Sequence, residues 1–332
     1  MKRWHIITLM FAISIIVYVV LISFFTEIVV PDLTGIGEEI SENDKTVQPS
    51  ETSPVQTGED KPEQNGDAQG NNDENGTGSE EPIIRTENEI ILEELKNYEY
   101  LSYFKDENTD RYVIYKKNNP DLPYEKVITY VNIGLDHDFY ENVKIAKNIN
   151  SITVLVNKYN KLPDDFEPEL VRLDHSYCAE GRGPQYLRKE AADAFIKMCE
   201  NAKKFGLKIT AYGTYRSIRT QHRIWNNAVR SGRSIEDVDN FNSRGGHSEH
   251  HTGLAVDVIK NNYSVEKTKE FEWYSKNAHK YGFIIRYPRN KEHITGYKYE
   301  PWHLRYVGDI AEKIYESGLT YDEYYVTVIE PE

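Results

Sequence analysis

Residues 245–258 read Gly245-Gly246-His247-Ser248-Glu249-His250-His251-Thr252-Gly253-Leu254-Ala255-Val256-Asp257-Val258. The second half alternates as a strand: Leu254, Val256 and Val258 would face a core, and Gly253, Ala255 and Asp257 would face the other way. A carboxylate inside a hydrophobic strand is unfavourable unless it is paired or bound to a metal, and the small residues beside it leave room for a ligand. Three of the ten histidines fall within five residues just ahead of the strand. A histidine cluster is often only a solvated loop, but His and Asp together suit zinc. Strand parity favours His251 over His250 as the partner of Asp257, so the residues alone leave the choice open.

A second string, Tyr299-Glu300-Pro301-Trp302-His303-Leu304-Arg305-Tyr306, opens another expected strand. Pro301 holds Glu300 extended, and His303 follows three residues on. Two histidines and an aspartate from separate strands would give three protein ligands and an open fourth position, which is the pattern of a catalytic zinc. Glu300 would then be free to act as a general base.

Working outward, an apolar stripe from Leu187 to Phe205, ended by Gly206, predicts a helix. Further helices are expected over residues 218–229 and 265–281. Strands are expected over 207–212, 252–259, 283–287 and 302–306. Helices interleaved with short strands indicate an α+β domain, a small mixed or antiparallel sheet with flanking helices carrying a mononuclear zinc site. It is expected to span residues 149–332, preceded by a small leading module over 86–148 with a short helix at 90–95 and many tyrosines, most of which would pack in a core. Cys178 and Cys199 fit an exported disulfide and buried free thiols equally well.

The chain has 332 residues and a formal charge of −14. Residues 32–84 hold 14 acids against Lys45 and Lys61, so the rest is nearly neutral, and no basic stripe supports nucleic-acid binding. Residues 31–85 are polar and acidic and read as a disordered linker, with a reach on the order of 35 to 45 Å. Residues 6–25, IITLMFAISIIVYVVLISFF, are uncharged and long enough to cross about 30 Å of hydrocarbon as a helix. Residues 1–30 are therefore expected to be a cytoplasmic stub and membrane anchor. Lys2 and Arg3 precede the span and acids follow it, which places the C-terminal bulk outside.

Ser248-x-His250-x-x-Gly253-x-Ala255-x-Asp257, followed about fifty residues later by Glu300-Pro301-Trp302-His303, resembles the zinc D-alanyl-D-alanine carboxypeptidase family, which includes VanY-type enzymes and their L,D-carboxypeptidase relatives. Leu155 to Pro163, Leu187 to Ala192 and Tyr215-Arg216-Ser217 with Gln221 support the likeness over about residues 151–318, and Val131 to Asp136 resembles a segment that often precedes it. The resemblance implies Zn2+ held by His250, Asp257 and His303, Glu300 as catalytic base and proton donor, and Arg216 stabilising the oxyanion. It assigns Ser248 and Gln221 to substrate contact and Trp302 to the pocket wall or to packing, makes Arg305 structural, and leaves His247 in a loop and His251 behind the ligands as bystanders. It implies peptidoglycan stem peptides as substrates and D-alanine as the leaving residue; the apolar span agrees, since it would hold the expected monomeric ectodomain at the cell membrane on the wall side. Cleavage of an internal bond, as an endopeptidase, and a non-catalytic zinc-containing wall-binding or signalling module are the competing readings.

The span lacks a small-x-small cleavage site. The full chain should therefore stay in the membrane fraction, with its C-terminal sequence open to protease on intact protoplasts. A released form beginning near residues 27–35 would mean a cleaved signal peptide instead.

Overall fold

Four short strands form the central sheet: β1 (Ala211–Gly213), β2 (Ala255–Val258), β3 (Phe283–Ile285) and β4 (His303–Tyr306). Their order is β1-β2-β4-β3, with every neighbouring pair antiparallel. These elements come from a computed structural model of the chain, which describes residues 85–331. The expected membrane span and acidic linker lie outside the described residues. Among the described residues, no helix is long and apolar enough to cross a membrane.

The alternation read from the sequence is realised in β2. Leu254, Val256 and Val258 are buried in the main hydrophobic cluster with Leu304 of β4, because residues two apart share a face. The long helix expected near 187–205 runs Lys189–Lys203 and buries Ala191, Ala192, Phe195, Met198, Cys199 and Ala202 against the same cluster. Full burial of a side chain such as Phe195 contributes about 1.5–3 kcal/mol. Phe205, expected on that stripe, is instead 66% exposed: the helix has ended, and Gly206 turns the chain away at φ +74°.

The strand expected from residue 252 begins later. Glu249–Thr252 form one turn of 3-10 helix, capped at its start by the Ser248 side chain and at its end by Gly253 in the left-handed conformation. At Gly253 a Cβ would come within 2.7 Å of a Leu170 methyl, so glycine is required on steric as well as conformational grounds. The helical turn breaks the period of two, and the parity argument that favours His251 does not extend across it. The helix expected over 265–281 is likewise divided. Thr268 caps the segment Lys269–Asn277 by accepting a hydrogen bond from the Phe271 N–H, and 3-10 turns flank it on both sides.

The leading segment holds three helices where one was expected: Glu87–Leu95, Thr109–Asn118 and Tyr124–Ile133. Tyr112 and Tyr124 pack inside them as core residues. Tyr130 and Ile133 of the third helix belong to a cluster that also contains Leu155, Ile284, Tyr321 and Tyr324, and Lys144–Ile145 pair in parallel with Asn160–Lys161. A shared core and a strand pair thus join the residues on the two sides of position 148.

Cys178 and Cys199 are both buried and free, and burial pushes the Cys199 thiol up to about 12. Both thiols should resist alkylation in the native protein and react together once denaturant is added. An oxidised pair in the purified ectodomain would contradict this.

Candidate functional site

Strand register builds the centre of the site. Asp257 of β2 lies directly opposite His303 of β4, with Gly213 of β1 on its other side. Side chains of directly paired residues project from the same face of a sheet, so the carboxylate and the imidazole meet. The 3-10 turn before β2 adds His250. Asp257 Oδ1 lies 3.5 Å from His250 Nε2 and 3.3 Å from His303 Nδ1. One donor atom from each of the three buried residues falls within 4.8 Å of the others.

The donor set fits a metal ion. Tetrahedral zinc with bonds of about 2.0–2.2 Å holds its ligands about 3.4 Å apart, close to the two separations given above. Asp257 Oδ1 is buried without a hydrogen-bond partner, which a bound cation would supply. The far nitrogen of each histidine is already engaged. His250 Nδ1 donates to the Thr214 carbonyl at 2.7 Å, and His303 Nε2 faces the Glu249 carboxylate at 3.3 Å. These partners fix the tautomers and turn the remaining lone pairs toward Asp257. Burial lowers His250, whereas on His303 it is outweighed by Asp257 and Glu249, which hold that imidazole up at about 9. Burial would raise Asp257, but His250 and His303 keep it well below the usual carboxylate range. Of the two carboxylates beside His303, only Asp257 lies on the Nδ1 side, where a metal cation would sit, while Glu249 stays on the far nitrogen.

Glu249 was not singled out in the sequence, although it stands inside the first string. It is fully buried, accepts hydrogen bonds from Arg286 Nε at 2.7 Å and Arg305 Nη1 at 2.8 Å, and faces His303 with its other oxygen. Burial opposes its charge, but the two guanidinium groups hold it ionised. Arg286 continues to Asp322 through two hydrogen bonds, at 2.6 and 3.2 Å. The cue was available in Phe283-Ile284-Ile285-Arg286-Tyr287, where a charge interrupts an apolar strand just as Asp257 does. Arg305 has the supporting place expected of it, bound also to the Ile152 and Val154 carbonyls.

Around this centre lies a cleft of about 440 Å³ whose lining includes Arg216, Gln221, Ser248, Glu300 and Trp302. Glu300 points toward the cluster, with its Oε2 3.7 Å from His303 Nδ1. Burial pushes its carboxyl up to about 8, only partly offset by His303, which is the direction that makes a carboxylate a better proton acceptor. Its backbone is held by the Tyr287 carbonyl, and Pro301 accepts from the Tyr274 hydroxyl at 2.8 Å. Half-buried Arg216 donates to Gln221 Oε1 at 2.7 Å, a neutral partner that leaves its charge for the cleft. Gln221, expected to contact substrate, is buried with its Nε2 donating to the Ser243 carbonyl at 2.7 Å, so it orients Arg216. Ser248 caps the histidine turn, and Trp302 packs edge-on against Tyr263 at the cleft wall.

His251 sits away from the metal-ligand cluster. Its Nδ1 donates to the Arg216 carbonyl at 2.6 Å and its Nε2 accepts the Gly246 N–H at 3.2 Å. Burial pushes it down to about 4, and with both nitrogens engaged it has no lone pair for a metal. His247 is bound to the Asn157 carbonyl.

A family model described as D-alanyl-D-alanine carboxypeptidase, VanY, matches residues 184–309. The putative carboxypeptidase YodJ of Bacillus subtilis (strain 168) is 42% identical over 222 residues, covering 64% of this chain and 80% of that protein. A D-alanyl-D-alanine carboxypeptidase of Enterococcus faecalis is 32% identical over 180 residues, 52% of this chain and 64% of the relative. Among solved structures, the LdcB LD-carboxypeptidase superimposes with a TM-score of 0.53 at 42% identity, covering 57% of this chain and 92% of that one.

Glu249→Gln keeps the shape of the carboxylate and removes the charge facing His303. It should weaken zinc binding about 10- to 100-fold, measured by competition with a chelator, and lower the melting temperature because buried Arg305 loses its counter-charge and Arg286 is left with Asp322 alone. Unchanged zinc affinity would remove Glu249 from the support of His303.

Proposed function

The chain belongs to the VanY-type D-alanyl-D-alanine carboxypeptidase family, and from that premise we propose that it is a zinc-dependent carboxypeptidase that removes the C-terminal D-alanine of peptidoglycan stem peptides. The observation that carries this reading is the register of β2 against β4, which sets Asp257 opposite His303 beside His250 with Glu300 at the rim. A wall-binding module would have no use for that fourth residue.

His250, Asp257 and His303 would hold the zinc. Zinc, when bound, polarises the scissile carbonyl and lowers the pKa of a water. Glu300, raised toward neutrality by burial, takes the proton of the attacking water and passes it to the leaving amine nitrogen, so the same carboxylate serves as base and then acid. Arg216, held by Gln221, donates to the carbonyl oxygen as it becomes negative. Trp302 and Ser248 bound the space in which the C-terminal residue sits, and the half-enclosed cleft limits bulk water around the reacting groups.

The bond cut is D,D in a pentapeptide or L,D in a tetrapeptide. The second is favoured by the 42% identity to the LD-carboxypeptidase. We place the domain on the outer face of the cell membrane, tethered by residues 6–25 and the acidic segment that follows, within reach of wall peptides.

Purified muropeptides incubated with the full-length protein should each lose a single C-terminal D-alanine by mass spectrometry, while all-L peptides stay intact. Release of a larger fragment would point to an endopeptidase. Glu300→Ala should keep near-stoichiometric zinc while turnover falls about 10²- to 10⁴-fold. His250→Ala, Asp257→Ala and His303→Ala should lose zinc and activity together, and His251→Ala should keep its zinc. Wild-type protein with full zinc and no turnover on any stem peptide would sink the proposal.

A further inference from the structure

The cleft has two kinds of wall. One is the sheet with the histidines, Asp257 and Glu300. The other is the segment from the helix Ile235–Asp239 to Ser248, whose Phe241, Asn242, Ser243 and Ser248 face the cleft. Residues 240–247 of that segment contain no strand and no helix; backbone bonds from Lys298 to the Asn240 carbonyl and from Leu162 to the Gly246 carbonyl, both 2.9 Å, pin its two ends, and the residues between are held by side chains. From inside, Gln221 binds the Ser243 carbonyl. From outside it is gripped by residues more than ninety positions earlier in the chain.

Tyr140 is at the centre of that grip. The Arg244 guanidinium lies 4.1 Å from the centre of the Tyr140 ring, and the His247 ring meets it edge-on at 5.0 Å. The hydroxyl of Tyr140 is 3.3 Å from that of Tyr297 and 3.4 Å from the Arg244 amide nitrogen. Arg244 is itself fixed by two hydrogen bonds to Asp239, and Asp239 also accepts from Trp225. Lys158, buried and bonded to the Asp239 carbonyl, has its ammonium 4.6 to 5.2 Å from the ring centres of Phe139, Tyr140 and Tyr297. Tyr297 in turn packs on Tyr287, and Tyr287 on His303, both at 4.9 Å between ring centres.

Tyr140 has φ +69°, in the left-handed region. A bulky residue there costs energy that the surroundings must repay, and such residues cluster where geometry serves function. Tyr159 steadies the same segment by donating to the His137 carbonyl at 2.9 Å.

We propose that Tyr140, carried by the leading segment, is a positioning residue for the substrate cleft: by clamping Arg244, His247 and Tyr297 it holds the 240–248 wall at the width needed to bind the C-terminal end of the substrate. The proposal rests on the carboxypeptidase reading for its substrate, but the clamp itself is read from geometry. The zinc ligands and Glu300 belong to the sheet side, so losing the clamp affects substrate binding more than the chemical step or the metal. The ring contacts outweigh the two long hydroxyl contacts, because the one Tyr140 ring meets Arg244, His247 and the buried Lys158 ammonium together, whereas hydrogen bonds at 3.3 and 3.4 Å are weak.

The test uses the full chain loaded with zinc and three variants. Tyr140→Ala removes the ring. Arg244→Lys keeps the charge beside Asp239 but loses the planar stack, a second way to open the clamp without a residue forced into the left-handed region. Tyr140→Phe keeps the ring and serves as the rescue. Tyr140→Ala and Arg244→Lys should each raise KM for a stem peptide about tenfold, with kcat within about threefold and zinc content unchanged, a split that marks lost binding. Hydrogen exchange should rise over residues 234–248 while the sheet stays protected, and Tyr140→Phe should behave as wild type in both measurements. An unchanged KM and unchanged exchange in Tyr140→Ala or Arg244→Lys would overturn the proposal. So would a loss that comes with zinc release or protein-wide exchange, since that describes general support of the fold. If the wild-type chain cleaves no stem peptide, the carboxypeptidase reading fails and the exchange measurement still decides the clamp, with no local rise in either variant counting against it.

Discussion

A carboxylate with almost no solvent, Glu249, sits between two guanidinium groups and the far nitrogen of His303. Burying one charge costs several kcal/mol, and removing one partner of such a buried group typically costs about 3–5 kcal/mol. The arrangement is stable only with all its members present, and each comes from a different part of the chain: Glu249 from the turn before β2, Arg286 from just beyond β3, Arg305 from β4 and Asp322 from the C-terminal helical segment. Asn157 joins through its bond to Asp322 at 2.8 Å. The histidine that completes the metal cluster is thus oriented by the condition that the buried charges pair.

The same condition explains why the site extends well past its ligands. Asp322 and Glu323 open the helix Tyr321–Tyr324, where Thr320 and Glu323 form a reciprocal cap. Glu323 also takes the ammonium of Lys126 at 2.7 Å, and Lys126 belongs to the third helix of the leading segment. The buried charges that start at His303 end at Asp322, and the next residue, Glu323, pairs with half-exposed Lys126 ahead of position 148, alongside the apolar cluster that joins the same elements. The leading segment reaches the cleft from the other side as well, through Tyr140 and the ring of Lys158 contacts. A segment that looked in sequence like a separate module thus packs behind the sheet through its third helix and against the 240–248 wall through Tyr140.

Asp257, Glu300 and His303 were legible in the residues themselves because each stands out against its local pattern, whereas His250 was singled out from His251 only by the family resemblance. An acid interrupts an apolar strand, a glutamate is pinned by the following proline, and histidines recur at the mouths of strands. The long amphipathic helix was legible because its stripe spans four turns. What escaped has physical reasons. The choice between His250 and His251 turned on one 3-10 turn, which four residues with no strong periodicity cannot announce. Glu249 and Asp322 look like surface acids until the fold brings arginines to them. The helix at 109–118 lacks a clean stripe because Tyr112 carries both core and polar contacts, bonding the Asn132 side chain, and the one at 124–133 because it is buried on most of its faces, residues 127–131 without a break.

The central claim is that His250, Asp257 and His303 form a metal site from which Glu300 and His251 stand apart. The most direct test is a crystal structure of the zinc-loaded ectodomain with anomalous scattering collected at the zinc edge. A single strong peak is predicted at bonding distance, about 2.0–2.2 Å, from His250 Nε2, His303 Nδ1 and one Asp257 oxygen, with Glu300 outside that distance and His251 still bound to the Arg216 carbonyl. A peak bonded to Glu300 or His251, or the absence of any peak between β2 and β4 in zinc-loaded protein, would contradict it.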